Sequence, residues 1–211
     1  MRCRTRRIPA ILAGCLPALL ALQAPAADSG SFFGEISEAR ELHDRGVEGD
    51  KQAVVECIAT LERMLAEHPG NQLARVYLGS AYTLRSRDLF IGLEKLAKLR
   101  EGGRLMDAAV AAAPRDIRVR FVRAINYYKL PAILGKRQLA RDELIALARM
   151  LRDGGGGGLD ALERQGVLFY AGLALRDRHR DHEAATAWRR AVALAPGSRL
   201  APRIERELAG L

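Results

Sequence analysis

The sequence predicts an all-α protein made of stacked helical hairpins, and three observations lead to this prediction. Ala, Leu and Arg, which favour helices, are abundant, whereas aromatic residues make up only 5% of the chain. No segment between turn signals alternates apolar and polar residues with the period of two that a half-buried strand requires. Small, bulky and small residues instead recur at helical spacing ahead of a proline, which is typical of a repeated helical unit.

The first 26 residues are organised like a secretory signal peptide. Four arginines lie within residues 1–7, residues 8–22 carry no charge, and residues 24–26 (Ala-Pro-Ala) provide the small-x-small pattern of a cleavage site. We therefore expect cleavage after Ala26 and export to the periplasm or cell envelope. The uncharged segment is too short to span a bilayer, and the rest of the chain offers no longer one, so we expect no transmembrane span in the mature protein.

The leader also permits a second interpretation, in which a lipid anchor is attached at Cys15. Residues 12–15 (Leu-Ala-Gly-Cys) match the bacterial lipobox. Only about seven apolar residues precede Cys15, however, and the apolar run continues past it to Leu22. We therefore prefer cleavage after Ala26 to acylation of Cys15, and both of these to an uncleaved N-terminal anchor.

The net charge of +9 does not indicate a nucleic-acid partner. Four of the 34 basic residues lie in the leader, which reduces the excess over the 25 acidic residues to +5. The other arginines are interleaved with Asp and Glu, as in the segment RDRHRDHE at 176–183, which is typical of a solvated helix surface rather than of a basic stripe. We therefore expect no nucleic-acid binding.

The clearest repeated unit lies at the C-terminal end of the chain. Ala184, Trp188 and Ala191 are spaced by four and three residues, which puts them on one helical stripe. Pro196 stops that helix, and Gly172 stands twelve residues before Ala184, where the paired helix comes closest. The small residues let the neighbouring helix approach, while the tryptophan fills the space between them.

This arrangement resembles the tetratricopeptide repeat over residues 165–198. The register recurs earlier in the chain, in residues that match the first-helix signature of the family and its closing proline: Pro69, Leu78, Gly79 and Tyr82, with a partial third match at Met106, Ala109 and Pro114. The resemblance implies an all-α, right-handed superhelix of about four helical hairpins with a C-terminal capping helix. Each hairpin buries its apolar face only against its neighbours.

We therefore predict one repeat domain over residues 35–211, preceded by a short linker at 27–34. The second unit exceeds the usual period of about 34 residues, so a helix is lengthened or a loop is inserted near 87–98. The glycine run 154–158 is expected to be a flexible linker, and a non-repeat helical bundle is the alternative fold. Outside the second unit, helices are expected at 35–47, 51–67, 116–129, 136–151, 160–177 and 181–194, with the cap at 199–209.

No arrangement in the sequence predicts catalysis. The chain lacks a phosphate-binding loop and a nucleophile with an adjacent base. His179 and His182 have no clear third or fourth partner for a metal, and Cys57 lies on an apolar helix face that raises its thiol pKa rather than activating the thiol. We therefore expect no enzyme, no metal and no cofactor. His43 is interpreted as a surface residue near a helix end.

The helix at 116–129 is apolar on nearly every side, which predicts packing on two faces. When the repeat positions are counted from Pro114, Arg123 falls at a position that is normally apolar in the tetratricopeptide repeat. A buried arginine requires a carboxylate, which Asp107 or Asp142 would provide. Alternatively, the register slips by one residue here and Arg123 is exposed.

In tetratricopeptide arrays the first helices of the hairpins line a concave face that binds extended peptides or partner helices. The resemblance assigns eleven residues of this chain to that face, in which apolar and aromatic side chains mix with Arg and Lys: Val76, Ser80, Thr83, Arg118, Phe121, Ile125, Tyr128, Lys129, Phe169, Leu173 and Arg176. Such a mixture is what a protein-binding groove requires.

Within that set, Tyr128 and Phe169 are the expected anchors. Arg118, Lys129 and Arg176 are expected to steer an acidic or carboxylate-bearing partner towards the face. The alternative is that the large apolar residues pack between neighbouring helices, which applies to Phe121, Ile125 and Phe169.

Two functions remain from the sequence, and neither is catalytic. The first is a scaffold in the cell envelope that binds a partner protein on its concave face. The second is a small-ligand or lipid-binding component that accompanies an envelope transport system. A large apolar cavity inside the superhelix would favour the second function, and an open groove with a charged rim the first.

Overall fold

The computed structural model describes residues 29–211, which form nine α-helices and no strand. The predicted leader, its cleavage site and Cys15 lie outside the described residues. The helices are α1 (Ser29–Glu48), α2 (Lys51–Glu67), α3 (Gln72–Asp88), α4 (Leu93–Ala112), α5 (Ile117–Lys129), α6 (Arg137–Arg152), α7 (Ala161–Arg176), α8 (Asp181–Leu194) and α9 (Ala201–Ala209).

Consecutive helices pair into four hairpins, α1–α2, α3–α4, α5–α6 and α7–α8, and α9 packs on α8 as a cap. The second helix of each hairpin contacts the first helix of the next one, and the first helices α1, α3, α5 and α7 lie side by side. The prediction of an all-α array of tetratricopeptide-like hairpins with a C-terminal capping helix is therefore confirmed. In the described part of the chain, no helix is both long and apolar enough to cross a bilayer.

Polar side chains start the helices and prolines follow their ends. Asp50, Asn71, Asp116 and Asp160 each accept hydrogen bonds of 2.8–3.3 Å from backbone N–H groups in the first turn of α2, α3, α5 and α7. These caps satisfy amide groups that have no partner within the helix. A proline follows one or two residues after the ends of α2, α4, α5 and α8 and prevents their continuation.

Two close approaches between helices depend on glycine. A Cβ atom on Gly79 would lie 2.6 Å from the carbonyl oxygen of Gly102, and one on Gly102 would lie 2.5 Å from that of Gly79. In the last hairpin, a Cβ on Gly172 would lie 2.2 Å from Nε1 of Trp188. The predicted close approach of the paired helix at Gly172 is therefore confirmed, and the residue that meets Gly172 there is Trp188. The helices α3 and α4 contact each other through the backbone of their glycines.

The core of the last hairpin is closed by the cap helix. Trp188 is fully buried among residues that include Phe169 and Ile204, and its Nε1 donates to the carbonyl oxygen of Phe169 at 3.0 Å. The one buried amide nearby, Gln165, donates to two carbonyl oxygens at the end of α8 at 2.9 and 3.0 Å and accepts from Ser198 at 2.6 Å. Every polar atom of that amide is thereby satisfied, so its burial carries little penalty.

One predicted boundary changes, and one alternative that the sequence left open is decided. Residues 29–34, expected to be linker, form the start of α1, because the glycines at 30 and 34 cost only about 1 kcal/mol each in a helix and do not end it. The excess length of the second unit lies in the helices themselves, since α3 has 17 residues and α4 has 20, whereas α7 has 16 and α8 has 14. Only residues 89–92 link α3 to α4.

The glycine run 154–158 is a turn with defined contacts rather than a linker without them. Gly154, Gly156 and Gly158 adopt φ values of 86–90°, which only glycine reaches readily. The amide of Gly155 donates to Met150 at 2.8 Å, and arginine side chains of α5 and α7 donate to carbonyl oxygens of the run. The run therefore stops α6 and turns the chain into the last hairpin.

Arg123 is mostly buried, as the register of the resemblance implies. It donates to Asp107 at 3.1 Å and lies 3.5 Å from Glu143, which also receives two hydrogen bonds from Arg120 at 2.7 and 3.2 Å. The predicted carboxylate Asp107 is thus confirmed. Asp142 instead pairs with an arginine of the turn between α7 and α8.

Candidate binding groove on the first helices

The first helices of the hairpins enclose two adjoining cavities. The larger has a volume of about 730 Å³ and is lined by α1, α3, α5, the start of α4, the turn after α5 and Tyr170 of α7. The smaller has about 340 Å³ and lies between α1, α3, α5 and the start of α7. Both share walls formed by Arg40, Asp44, Tyr77, Phe121 and Val122, and we call the two cavities together the groove.

The groove is closed at one end by contact between the first and last hairpins. Arg40 of α1 lies 3.6 Å from Glu163 of α7, which also receives two hydrogen bonds from Arg118 of α5 at 2.7 and 3.0 Å. Glu163 additionally accepts from the backbone amide of Asp160 at 3.0 Å, completing the cap of α7. One carboxylate thereby joins α1, α5 and α7 across the concave side of the array.

The floor of the groove is mainly apolar and aromatic. Phe121 meets Tyr170 edge to face with ring centroids 6.0 Å apart, and Tyr77 meets His43 in the same manner at 5.2 Å. Burial, the largest influence, raises the pKa of Tyr77 above its usual value, so its hydroxyl stays neutral. Aliphatic side chains complete this surface: Leu84, Leu99, Val122, Ile125 and Leu134.

A polar network crosses the floor and ties three helices together. His43 of α1 and the Oγ of Ser80 in α3 are 2.8 Å apart. The side-chain amide of Asn126 in α5 donates to Ser80 at 3.0 Å and to Thr83 at 2.6 Å. The Oδ1 of Asn126 is itself buried and has no partner among the described residues.

The network combines a serine and a histidine, but its geometry is that of a structural contact. Nδ1 of His43 is 3.7 Å from Asp44, too far for the hydrogen bond that would orient a general base. Ser80 lies in the middle of α3, where the neighbouring amide groups are engaged in the helix and do not point at a common oxyanion position. The arrangement therefore aligns α1, α3 and α5.

The rim of the larger cavity is positively charged. Arg40, Arg87, Lys95 and Lys129 line it, whereas Asp44 is the only carboxylate that does so. Arg87 is paired with Asp88 at 2.9 Å. Lys129 is exposed, and its Nζ lies 5.7 Å from the ring centroid of Tyr170 with no ion pair to another described residue. A bound group at this rim therefore meets excess positive charge.

Five of the eleven predicted residues line the larger cavity, and a sixth lines only the smaller one. The five are Ser80, Thr83, Phe121, Ile125 and Lys129, and the sixth is Arg118. Arg118 does not offer the free charge that was expected of it, because Glu163 neutralises its guanidinium from within the chain. The alternative that Phe121 and Ile125 are wholly packed between helices is not what the structure shows, since both face the groove.

Three predicted residues are buried, and their assignment to the groove is wrong. Val76 packs against α4 and α5, and Phe169 and Leu173 belong to the core around Trp188. α7 is covered by α6, α8 and the cap, so it has little free surface. In two of these three cases the next residue along the chain lines the groove instead: Tyr77 follows Val76, and Tyr170 follows Phe169.

The remaining two predicted residues make contacts elsewhere. Tyr128 donates to Asp177 at 2.9 Å, outside the cavity lining, and burial followed by this hydrogen bond raises its pKa to about 12. Arg176 is paired with Glu207 of the cap helix and lies 5.3 Å from the ring centroid of Trp188. Arg176 therefore fastens α9 to α7 rather than steering a partner.

Sequence reasoning missed the residues that α1 contributes, because the first unit carries the weakest motif. Arg40 and His43 both line the groove, and the interpretation of His43 as a surface residue is wrong. The residue type was an available signal at the other two missed positions, which are both tyrosines. Tyr77 and Tyr170 have a polar tip that suits a half-buried wall, whereas valine and phenylalanine are commonly buried entirely.

The candidate reactive residues behave as core or turn residues. Cys57 is fully buried, and burial raises its thiol pKa to about 12, as its apolar setting predicted. His179 adopts a φ of 57° in the turn between α7 and α8. Among the side chains that the structure describes, from residue 36 onwards, no three of His, Cys, Asp or Glu converge as metal ligands would.

Comparison with known proteins gives similarity to solved structures alone. No family model and no curated protein matches the chain. A MamA mutant is 19% identical, with a TM-score of 0.47 over 85% of this chain and 87% of that one. MamA of MSR-1 is 20% identical with a TM-score of 0.47, covering 84% of both chains. MamA of AMB-1 is 20% identical with a TM-score of 0.46, covering 85% of this chain and 81% of that one.

Proposed function

We propose that the protein is a non-catalytic scaffold of the cell envelope whose groove holds an apolar, negatively charged segment of a partner protein. The observation that supports this function is the pairing of an apolar, aromatic floor with a basic rim on the first helices. Aromatic and aliphatic side chains supply most of the energy of such contacts, and rim charges mainly accelerate association and select the partner. Lys129 is the rim residue whose charge is least engaged within the described chain.

The shape of the groove favours a segment of protein over a compact ligand. The two cavities share walls and extend from the turn after α5 to the start of α7, so an occupant would be elongated. Side chains of Ser80, Thr83 and Asn126 line the same cavity and add polar groups to its floor.

Reversing the charge of Lys129 is expected to weaken partner binding several-fold at low salt. Capture from an envelope extract followed by mass spectrometry would first identify the partner. The affinity of the Lys129→Glu variant would then be measured at low and high salt, because rim charges are screened within about 10 Å at 0.1 M salt. Lys51→Glu, at the exposed start of α2 and outside the groove, is the matched control and should bind normally. Equal affinity of both variants would move the binding site away from the groove.

A small ligand or lipid is the second candidate occupant, and the volume of the larger cavity supports it. About 730 Å³ falls within the range of small-molecule sites, about 300–1,000 Å³. Native mass spectrometry of the protein purified without detergent would distinguish the two. A bound mass of a few hundred daltons that leaves on Ile125→Asp substitution would favour the ligand-binding function over the scaffold.

We propose further that the chain is exported and that its leader is removed after Ala26. The basic, apolar and small-residue order of residues 1–26 supports this. The intact mass of the protein recovered from the cell envelope should correspond to a chain beginning at Ala27. A chain beginning at Cys15 with added acyl mass would establish a lipoprotein instead.

A further inference from the structure

Four large apolar side chains protrude into solvent from two turns of the array. Phe90, Ile91 and Leu93, in and after the turn between α3 and α4, are 98%, 97% and 87% exposed, and Ile133, between α5 and α6, is 93% exposed. The next most exposed large apolar residue of the described chain is Leu162 at 60%. These four side chains therefore bury almost nothing against the fold.

The two turns lie at the same end of the groove. Residues Lys95 and Leu99, just after the first turn, and Leu130, Pro131 and Leu134, in the second, line the same cavity. They belong to consecutive hairpins, whose turns lie along one edge of the stack. We call residues 89–93 and 131–134 the apolar edge.

Basic residues surround the apolar edge. Residues 85–98 and 129–137 together contain seven Lys or Arg and two acidic residues, Asp88 and Glu94. Asp88 is largely buried and already paired with Arg87 at 2.9 Å, so Glu94 is the only exposed acid in the two segments. Three of the seven basic residues are paired within the chain, Arg87 with Asp88, Lys98 with Glu101 and Lys136 with Asp107. The other four leave the edge with an excess of positive charge, which suits an apolar and negatively charged occupant.

Part of the backbone of the edge is satisfied internally. The amide of Leu134 donates to Pro131 and that of Gly135 to Ala132, each at 3.0 Å, which closes a short 3₁₀ turn. Nζ of Lys95 donates to the carbonyl oxygen of Leu89 at 3.2 Å. Peptide groups that already have partners enter a medium of low polarity at lower cost.

We propose that the apolar edge inserts into the interface of an anionic lipid bilayer and orients the array on its surface. Side chains that project singly from turns have no flat or concave surface around them to match another protein, whereas they enter lipid without a complementary shape. The surrounding Lys and Arg residues are attracted by anionic headgroups. A second copy of the chain is disfavoured as the occupant, since its own edge is equally basic. Insertion would hold the mouth of the groove close to the membrane.

The test is co-sedimentation of residues 27–211, which contain all nine described helices and their cores, with lipid vesicles. The parent chain should pellet with vesicles of phosphatidylcholine and phosphatidylglycerol, bind more weakly as salt increases, and remain in solution with phosphatidylcholine alone. The double variant Phe90→Ser with Ile91→Ser should lose at least about tenfold in partitioning, because two inserted side chains contribute much of the binding. Its thermal melt should be unchanged, since neither side chain packs against the fold.

A matched control and a second measurement keep the outcomes distinct. Val55→Ser with Leu194→Ser removes apolar surface away from the apolar edge and the groove, and this variant should bind vesicles like the parent. Phe90→Trp should show a blue-shifted emission and quenching by brominated lipid, against the constant signal of the buried Trp188. Equal pelleting of the two double variants would overturn the proposal. So would self-association that depends on Phe90 and Ile91 without vesicle binding, which would make a second copy the occupant of the edge.

Discussion

Replacing Trp188 with alanine is expected to lower the free energy of unfolding by about 3–5 kcal/mol, the usual range for deleting a large aromatic core side chain. The indole is fully buried, fills the space opposite Gly172, and donates its only hydrogen bond to Phe169. The guanidinium of Arg176 also rests on its ring and ties the cap helix to α7. One substitution therefore removes packing within the last hairpin and between that hairpin and the cap.

The loss should begin locally, because each hairpin of a stacked array is held only by its neighbours. Urea denaturation followed by circular dichroism gives the change in stability, and hydrogen exchange shows where it occurs, with α7, α8 and α9 expected to lose protection first. His182→Ala is the control, since this exposed residue should change stability by no more than about 0.5 kcal/mol. Comparable destabilisation by the two variants, or melting of the parent that depends on a chelator, would contradict the assignment of Trp188 as the key residue of this unit.

Replacing Gly102 with alanine is expected to destabilise the protein by about 1–3 kcal/mol through overpacking. The added Cβ would lie 2.5 Å from the carbonyl oxygen of Gly79 and 2.8 Å from Cγ2 of Thr83. The backbone of Gly79 cannot move away by a rotamer change as a flexible side chain does, so α3 and α4 must move apart. Because Thr83 also accepts from Asn126 in the groove, partner or ligand binding should weaken together with stability.

The adjacent glycine provides a matched control in the same helix. A Cβ on Gly103 would lie 3.5 Å from the hydroxyl of Tyr127, an ordinary contact. Gly103→Ala should therefore be neutral or stabilising by up to about 1 kcal/mol, since alanine favours a helix interior over glycine. Chemical denaturation of both variants measures the difference. A stable Gly102→Ala variant would show that the two helices are not in backbone contact.

Features of the fold that depend on neighbouring residues could be predicted from the sequence. Asp116 and Asp160 start α5 and α7 because their carboxylates accept hydrogen bonds from amides two or three residues further on. Pro114 and Pro196 prevent the continuation of α4 and α8, because a proline lacks the donor that a helix needs. The close approach of the two helices at Gly172 was predictable for a related reason. The two helices of a hairpin are joined by a short turn, so spacing along the chain specifies which residues meet.

The groove was predicted only in part, because its walls come from helices far apart in the chain. A helix turns by about 100° per residue, so an error of one position moves a residue from groove to core, as happened with Val76 and Phe169. Charges raise a similar difficulty. From the sequence, Arg118 and Arg176 were expected to offer their charge to a partner. In the structure they are neutralised by Glu163 and Glu207, which lie 45 and 31 residues away along the chain.

The sequence by itself determined the boundaries of α2 and of α5 to α9 to within two residues, together with the hairpin pairing, the cap and the central place of Trp188. Each of these follows from contacts within one hairpin or between adjacent ones. Only the tertiary structure decided that Asp107 rather than Asp142 partners Arg123, that α1 supplies a wall of the groove, and that Phe90 and Ile91 pack against nothing. These three features depend on how far the array curves and how closely successive hairpins stack. Curvature and stacking result from many interhelical contacts together, so no single sequence motif predicts them.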